Sequence, residues 1–196
     1  MLVKVRNHFA RALILQITLA VALCSVPCLS LLADTFNDKR AYVGLKLFRT
    51  LVTADQQLAQ KTNNKNELLI YLAFASNDSA ALDYQQSLTE TMPKVRELNV
   101  NIKTISLAQL QSQTAEKPAA IFIAQQFNAA ELEQLVSYSI QQKIILFSPF
   151  EGDVEKGVLG GLSVEARVQP LINMHTLDKS GVEIKSFYLK VAKQYE

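Results

Sequence analysis

Beyond residue 33 the chain has no cysteine and a single histidine, His175. The missing thiols exclude intrachain disulfides, a cysteine nucleophile and thiolate metal ligands from that part. One histidine is poor material for a zinc site or a general-base centre, since both recruit partner groups. His175, between Met174 and Thr176, reads as a surface or helix-end residue. There is no G-x-S-x-G elbow, and no pair of carboxylates is placed in one cleft for glycosidic cleavage. No stripe of lysine and arginine suits a phosphate backbone, which sets nucleic-acid binding aside. Low-complexity tracts and internal repeats are also missing. The expectation is a non-enzyme with no catalytic residues, no cofactor and no metal, although an acid-only site stays open.

What is present begins with a distinct leader. The first 33 residues carry Lys4, Arg6 and Arg11 and no acid. A mostly apolar run follows from Ala12 to Leu32, broken by Gln16, Thr18, Ser25 and Pro27. A basic start, an apolar middle and a small residue before a polar segment make a secretory signal peptide over 1–33. The pattern places the cut after Ala33; Leu31 at the −3 position leaves an earlier cut open. The same run is long enough to serve as an uncleaved anchor. Lipid attachment at Cys24 or Cys28 is disfavoured, because Leu23 and Pro27 precede them where a small residue is wanted. Without the leader, Lys plus Arg falls from 20 to 17 while Asp plus Glu stays at 18, so the net charge moves from +2 to −1.

Residues 34–196 suit one domain. Asn37–Asp38 reads as a helix cap. Ala41, Leu45, Phe48, Leu51 and Val52 then recur at helical spacing, with Lys46, Arg49 and Asp55 facing away. Apolar runs at 67–75, 118–124 and 143–147 read as strands buried on both faces, and 100–105 alternates. Helices are expected over 80–98 (kinked or split at Pro93), 107–111, 128–141, 174–180 and 185–194. Leu82, Leu88, Met92 and Val95 are assigned inward on the first of these, and Leu132, Leu135 and Ile140 on the third. Strands alternating with helices imply an α/β fold: a single three-layer domain, mostly parallel sheet with helices on both faces, and a C-terminal β-hairpin plus helix.

The run SPFEGDVEKGVLGGLSVEARVQPLIN, 148–173, sets Glu151, Asp153 and Glu155 against Gly157, Gly160 and Gly161. A calcium loop wants a longer, differently ordered ligand set. A phosphate loop wants a helix after the glycines, whereas Leu-Ser-Val follows here. The glycines read instead as places of bulging or close backbone approach in a strand.

This tail resembles the YfiR-like family of bacterial periplasmic proteins. Gly157, Gly160, Arg167, Val168, Ile172 and Asn173 fall at the family's spacing, and Gly181, Ile184, Leu189 and Ala192 continue it. Pro170 and Leu171 depart from the family's Phe-Glu, and the first helix lacks the family's Trp-Pro ending, with Thr53–Ala54 nearby instead. The resemblance implies a compact periplasmic α/β domain without catalysis. It also implies a partner: the periplasmic sensor part of an inner-membrane signalling protein such as a diguanylate cyclase, which the domain restrains by contact. A homo-oligomer is compatible with this reading. The alternative is a small-solute-binding protein of a transport or sensing system.

Open parallel sheets bind ligands outside the carboxyl ends of their strands. Those ends carry Asn77 and Asp78, Gln125 and Gln126, and Ser148 with Glu151, the candidate ligand- or partner-binding residues. Phe147, Phe150, Phe187 and Tyr188 are assigned to the core.

Overall fold

The structure is a computed structural model that describes the backbone of residues 28–112 and 116–196, with side chains from residue 39 onward. The leader expected over 1–33 therefore lies outside the described residues up to residue 27. Arg40–Glu196 forms one compact unit. Among the described residues no helix is long and apolar enough to cross a membrane.

Helix α1, Cys28–Ala54, carries the predicted apolar stripe: Ala41, Leu45, Phe48, Leu51 and Val52 are all buried. It does not start at Asn37–Asp38 but runs through them. No glycine or proline interrupts the chain from Cys28 to Val43, so nothing there breaks the helix. At its end Asp55 is fully buried rather than facing solvent. A 3₁₀ turn over Leu58–Lys61 swings Lys61 back, and its Nζ meets Asp55 Oδ2 at 2.5 Å.

Eight strands form one sheet in the order β2-β3-β1-β4-β5-β6-β7-β8. The core of it is parallel: β1, Glu67–Phe74, lies between β3, Leu98–Ser106, and β4, Ala120–Ile123. Next to β4 comes β5, Ile145–Phe147, and then β6, Gly160–Val164, joined to β5 through the single pair Phe147–Gly160. The predicted hairpin closes between β6 and β7, Val168–Asn173, with Val164 opposite Val168. At one edge β2, Lys94–Val95, pairs antiparallel with β3; at the other β8, Lys193–Tyr195, runs parallel to β7.

Helices cover both faces, as the α/β patterning predicts. Leu68, Ile70 and Leu72 of β1 join α1 and α2, Ser79–Thr91, in one core. Leu69, Tyr71 and Ala73 face the other way, toward Leu132 and Leu135 of α4, Ala129–Gln142. A four-residue α3, Leu107–Leu110, adds Leu110 to that second core. The first core is centred on rings: Phe48 lies 5.5 Å from Phe122 and 5.8 Å from Phe147, which stack on each other.

Two helices are shorter than predicted. The helix after β1 stops at Thr91, because Pro93 has no N–H to continue it; Met92 and Val95 are still buried, but Leu82 is exposed. The closing helix, α6, covers only Ser186–Val191, and the residues after it become β8. Its Tyr188 is fully buried, whereas Phe187 is exposed, against the core assignment.

The tail residues Gly157, Gly160, Ile172, Asn173 and Gly181 have structural work. A Cβ on Gly160 would sit 2.5 Å from Leu51 Cδ2, so the glycine lets α1 lie directly on β6. Gly157 has φ +107 and Gly181 φ +63, both left-handed backbone. Asn173 Oδ1 accepts from Thr176 N at 2.8 Å and caps α5, Met174–Ser180, which Gly181 ends. Ile172 is buried in the first core. Arg167 stays exposed and donates to Gln169 Oε1.

Candidate functional site

In chain order the parallel strands are β1, β3, β4, β5 and β6, yet β3 and β4 flank β1 on opposite sides. This reversal opens a crevice at the carboxyl ends of β1 and β4. Gln125, two residues after β4, fills it. Its Oε1 accepts from the backbone N–H groups of Ala75, Ser76 and Asn77 at 3.0, 3.0 and 3.3 Å. Its Nε2 donates to Ser76 Oγ at 3.4 Å. The converging donors of the β1–α2 turn are thus satisfied from within. Asn77 Oδ1 accepts from Ser79 N at 3.0 Å, and Asp78 occupies the N-cap position of α2 without a side-chain cap bond.

Ser148 does not share that crevice, and it is no surface ligand. It is fully buried after β5, where its hydroxyl donates to Asp153 Oδ2 at 2.6 Å and accepts from Phe150 N at 3.1 Å. Asp153 is 2% exposed. Burial pushes its carboxyl up; the Ser148 hydrogen bond and Lys156 pull it down, and Glu155 adds to the rise. The acidic loop therefore has a buried anchor, Asp153, between two outward acids.

Those two acids, Glu151 and Glu155, line a groove of about 300 Å³ beyond the ends of β5 and β6. Arg40 forms part of its wall and is held by backbone oxygens, donating from Nε to Pro149 O and from Nη2 to Leu162 O. Lys193 of β8 is engaged by Glu165 at the hairpin tip. Among the described residues neither Glu151 nor Glu155 has an ion pair or side-chain hydrogen bond, while Phe150 and Tyr195 supply rings to the same groove. Two carboxylates without ion pairs and two aromatic rings, set against the one carbonyl-bound guanidinium of Arg40, leave the groove net negative and suited to a cation.

The structure thus brings Asn77 and Gln125 together, closes them, and separates both from Ser148 and Glu151. Sequence reasoning missed Arg40, Lys193 and Tyr195 in the groove. Their contacts span more than a hundred positions for Arg40, and Lys193 sits in, and Tyr195 just after, a segment whose pattern reads as helix. Among the described residues no group of three or more histidine, cysteine or acidic side chains converges on a metal position. His175 is exposed on α5.

No protein-family model and no curated protein matches the sequence. Among solved structures, a conserved domain protein from Vibrio cholerae O1 biovar eltor is 17% identical, with TM-score 0.50 over 70% of this chain and 57% of its own. The ABC domain in complex with L-Trp from Streptococcus pneumonia is 15% identical, with TM-score 0.49 over 74% and 60%. A substrate binding protein with adhesive properties from Clostridium difficile, in its ligand-free, open structure, is 12% identical, with TM-score 0.48 over 72% and 60%. The chain spans about 60% of the length of the solved structures it matches. At 17% identity what is shared with the Vibrio cholerae protein is the α/β fold.

Proposed function

We propose that this chain is a non-catalytic, exported binding module whose open groove takes a small polar solute bearing a cationic group. One observation carries the reading: Glu151 and Glu155 stand unpaired beside Phe150 and Tyr195, at the carboxyl edge of a parallel sheet. The leader supports export. The test is calorimetric titration with arginine, choline and a polyamine. Saturable binding of one of them, weakened at least tenfold by Glu151→Gln with Glu155→Gln, is the expected result. Heats indistinguishable from dilution for all three would end the solute reading.

A second reading has its own support. Tyr42 and Leu82 are 43% and 47% exposed on neighbouring helices, which suits protein contact more than solute capture. Under this reading the chain acts as the resemblance to YfiR-like proteins implies, docking on the periplasmic part of an inner-membrane sensor or cyclase. Co-purification with such a protein, and changed cyclic-di-GMP on deletion, are the expected outcomes. Unaltered cyclic-di-GMP together with no membrane partner would retire it.

A further inference from the structure

The face of α1 away from the acidic groove forms a second hollow. It holds about 640 Å³ and is lined by Tyr42, Leu45, Lys46 and Arg49 of α1 and by Ser87 and Thr91 of α2. Its floor is apolar: Leu45 is buried, and the Tyr42 ring stands edge-on to Tyr84 at 5.5 Å. Its charges are all positive. Lys46 and Arg49, one turn apart on α1, are exposed and have no ion pair or side-chain hydrogen bond among the described residues. Among the described residues no carboxylate lines the hollow. Glu90, farther along α2, accepts from Gln86 Nε2 at 3.2 Å on its own helix. The hydroxyls of Thr50 and Thr91 are turned back onto helix carbonyls, of Lys46 and Ser87 respectively. The cations therefore face a concave surface to which no described side chain brings an anion.

We infer that this α1–α2 groove docks an acidic amphipathic segment of a partner protein. An apolar side chain of the segment would settle on Tyr42 and Leu45, and carboxylates on either side would meet Lys46 and Arg49. A cleft between two helices is the usual seat for such a segment, and the unmatched charge selects its sign. The inference rests on the contact reading and is independent of the solute reading, which uses the opposite flank of α1.

The probe is a synthetic peptide with leucines along one face, glutamates flanking them and a photoreactive leucine analogue at its centre. A lysine-for-glutamate peptide is the control. Fluorescence anisotropy with the full-length protein should show saturable binding of the glutamate peptide only. Lys46→Glu with Arg49→Glu should weaken it at least tenfold with an unchanged melting temperature, since both side chains are exposed. Raising salt from about 0.05 to 0.3 M should weaken the wild-type complex several-fold. Photolabelling should fall on α1 and α2. Equal binding of the two peptides, equal binding by the double variant, labelling elsewhere, or no saturable binding would each overturn the groove. If a partner captured by the wild-type chain is kept by the double variant, the groove is wrong and the contact reading stands. If the wild-type chain holds no membrane partner, it is the contact reading that fails.

Discussion

The crevice between β1 and β4 and the groove beyond β5 and β6 lie along the same carboxyl edge, yet they are finished differently. At the first, three backbone donors converge and the chain's own Gln125 supplies the acceptor. At the second, the backbone is satisfied by Arg40 and Ser148, and it is two side-chain charges that are left without partners. Three backbone donors aimed at one point are met here by a single side-chain oxygen, which leaves no place for a ligand's acceptor. An unmet carboxylate at the surface is solvated and costs little, so it can wait for a ligand. The position of a binding site on this sheet therefore follows what can be left unpaired cheaply, and the topological reversal alone does not decide it.

Mutations can break that contrast, and the largest effect is expected beneath the open groove. Ser148→Ala removes the donor to a buried carboxylate and the acceptor for Phe150 N, and should destabilise the fold by about 2–3 kcal/mol in denaturant titration. Gln125→Ala should cost about 1–2 kcal/mol, less because water reaches Ser76 and Asn77 once the side chain is gone. The same change opens the crevice, and weak carboxylate binding there, absent from the wild type, would show in a titration with acetate. Glu151→Gln should move stability by no more than about 0.5 kcal/mol while weakening cation binding. A large loss of stability from that change would show that Glu151 has a structural partner after all.

The smallest effect is a pH dependence. The native Asp153 carboxyl is raised above its ordinary value, chiefly by burial. The folded state therefore holds its proton over a window where the unfolded chain has released it. Stability should fall as pH rises from the ordinary carboxylate range through the raised native value, and Asp153→Asn should flatten that part of the profile. A profile unchanged by the substitution would show that the buried acid does not titrate in that window.

Much of this arrangement is legible in the sequence where the determinants are local. The apolar runs of β1 and β4, the Asn128–Glu131 capping box of α4, and the Asn173 and Gly181 ends of α5 each depend on residues within one or two turns. The losses have a common cause, dependence on distant chain. Asp55 reads as exposed until a 3₁₀ turn returns Lys61 to it. Leu82 has helical spacing but no element above it to meet. Lys193 and Gln194 suit the end of a helix in isolation and become strand, with Tyr195, because β7 offers them a parallel edge. Likewise Gln125 looks available for a ligand, since the backbone donors that its Oε1 meets lie some fifty positions earlier.

The lone pairing of Phe147 with Gly160 makes the sheet two plates sharing a narrow seam, with Leu51 of α1 pressed across it as a clasp. Such a joint should let β6, β7 and β8 loosen together before the parallel strands do. Hydrogen exchange would then find their amides surrendering protection as one block, and sooner still when Leu51 is trimmed to alanine.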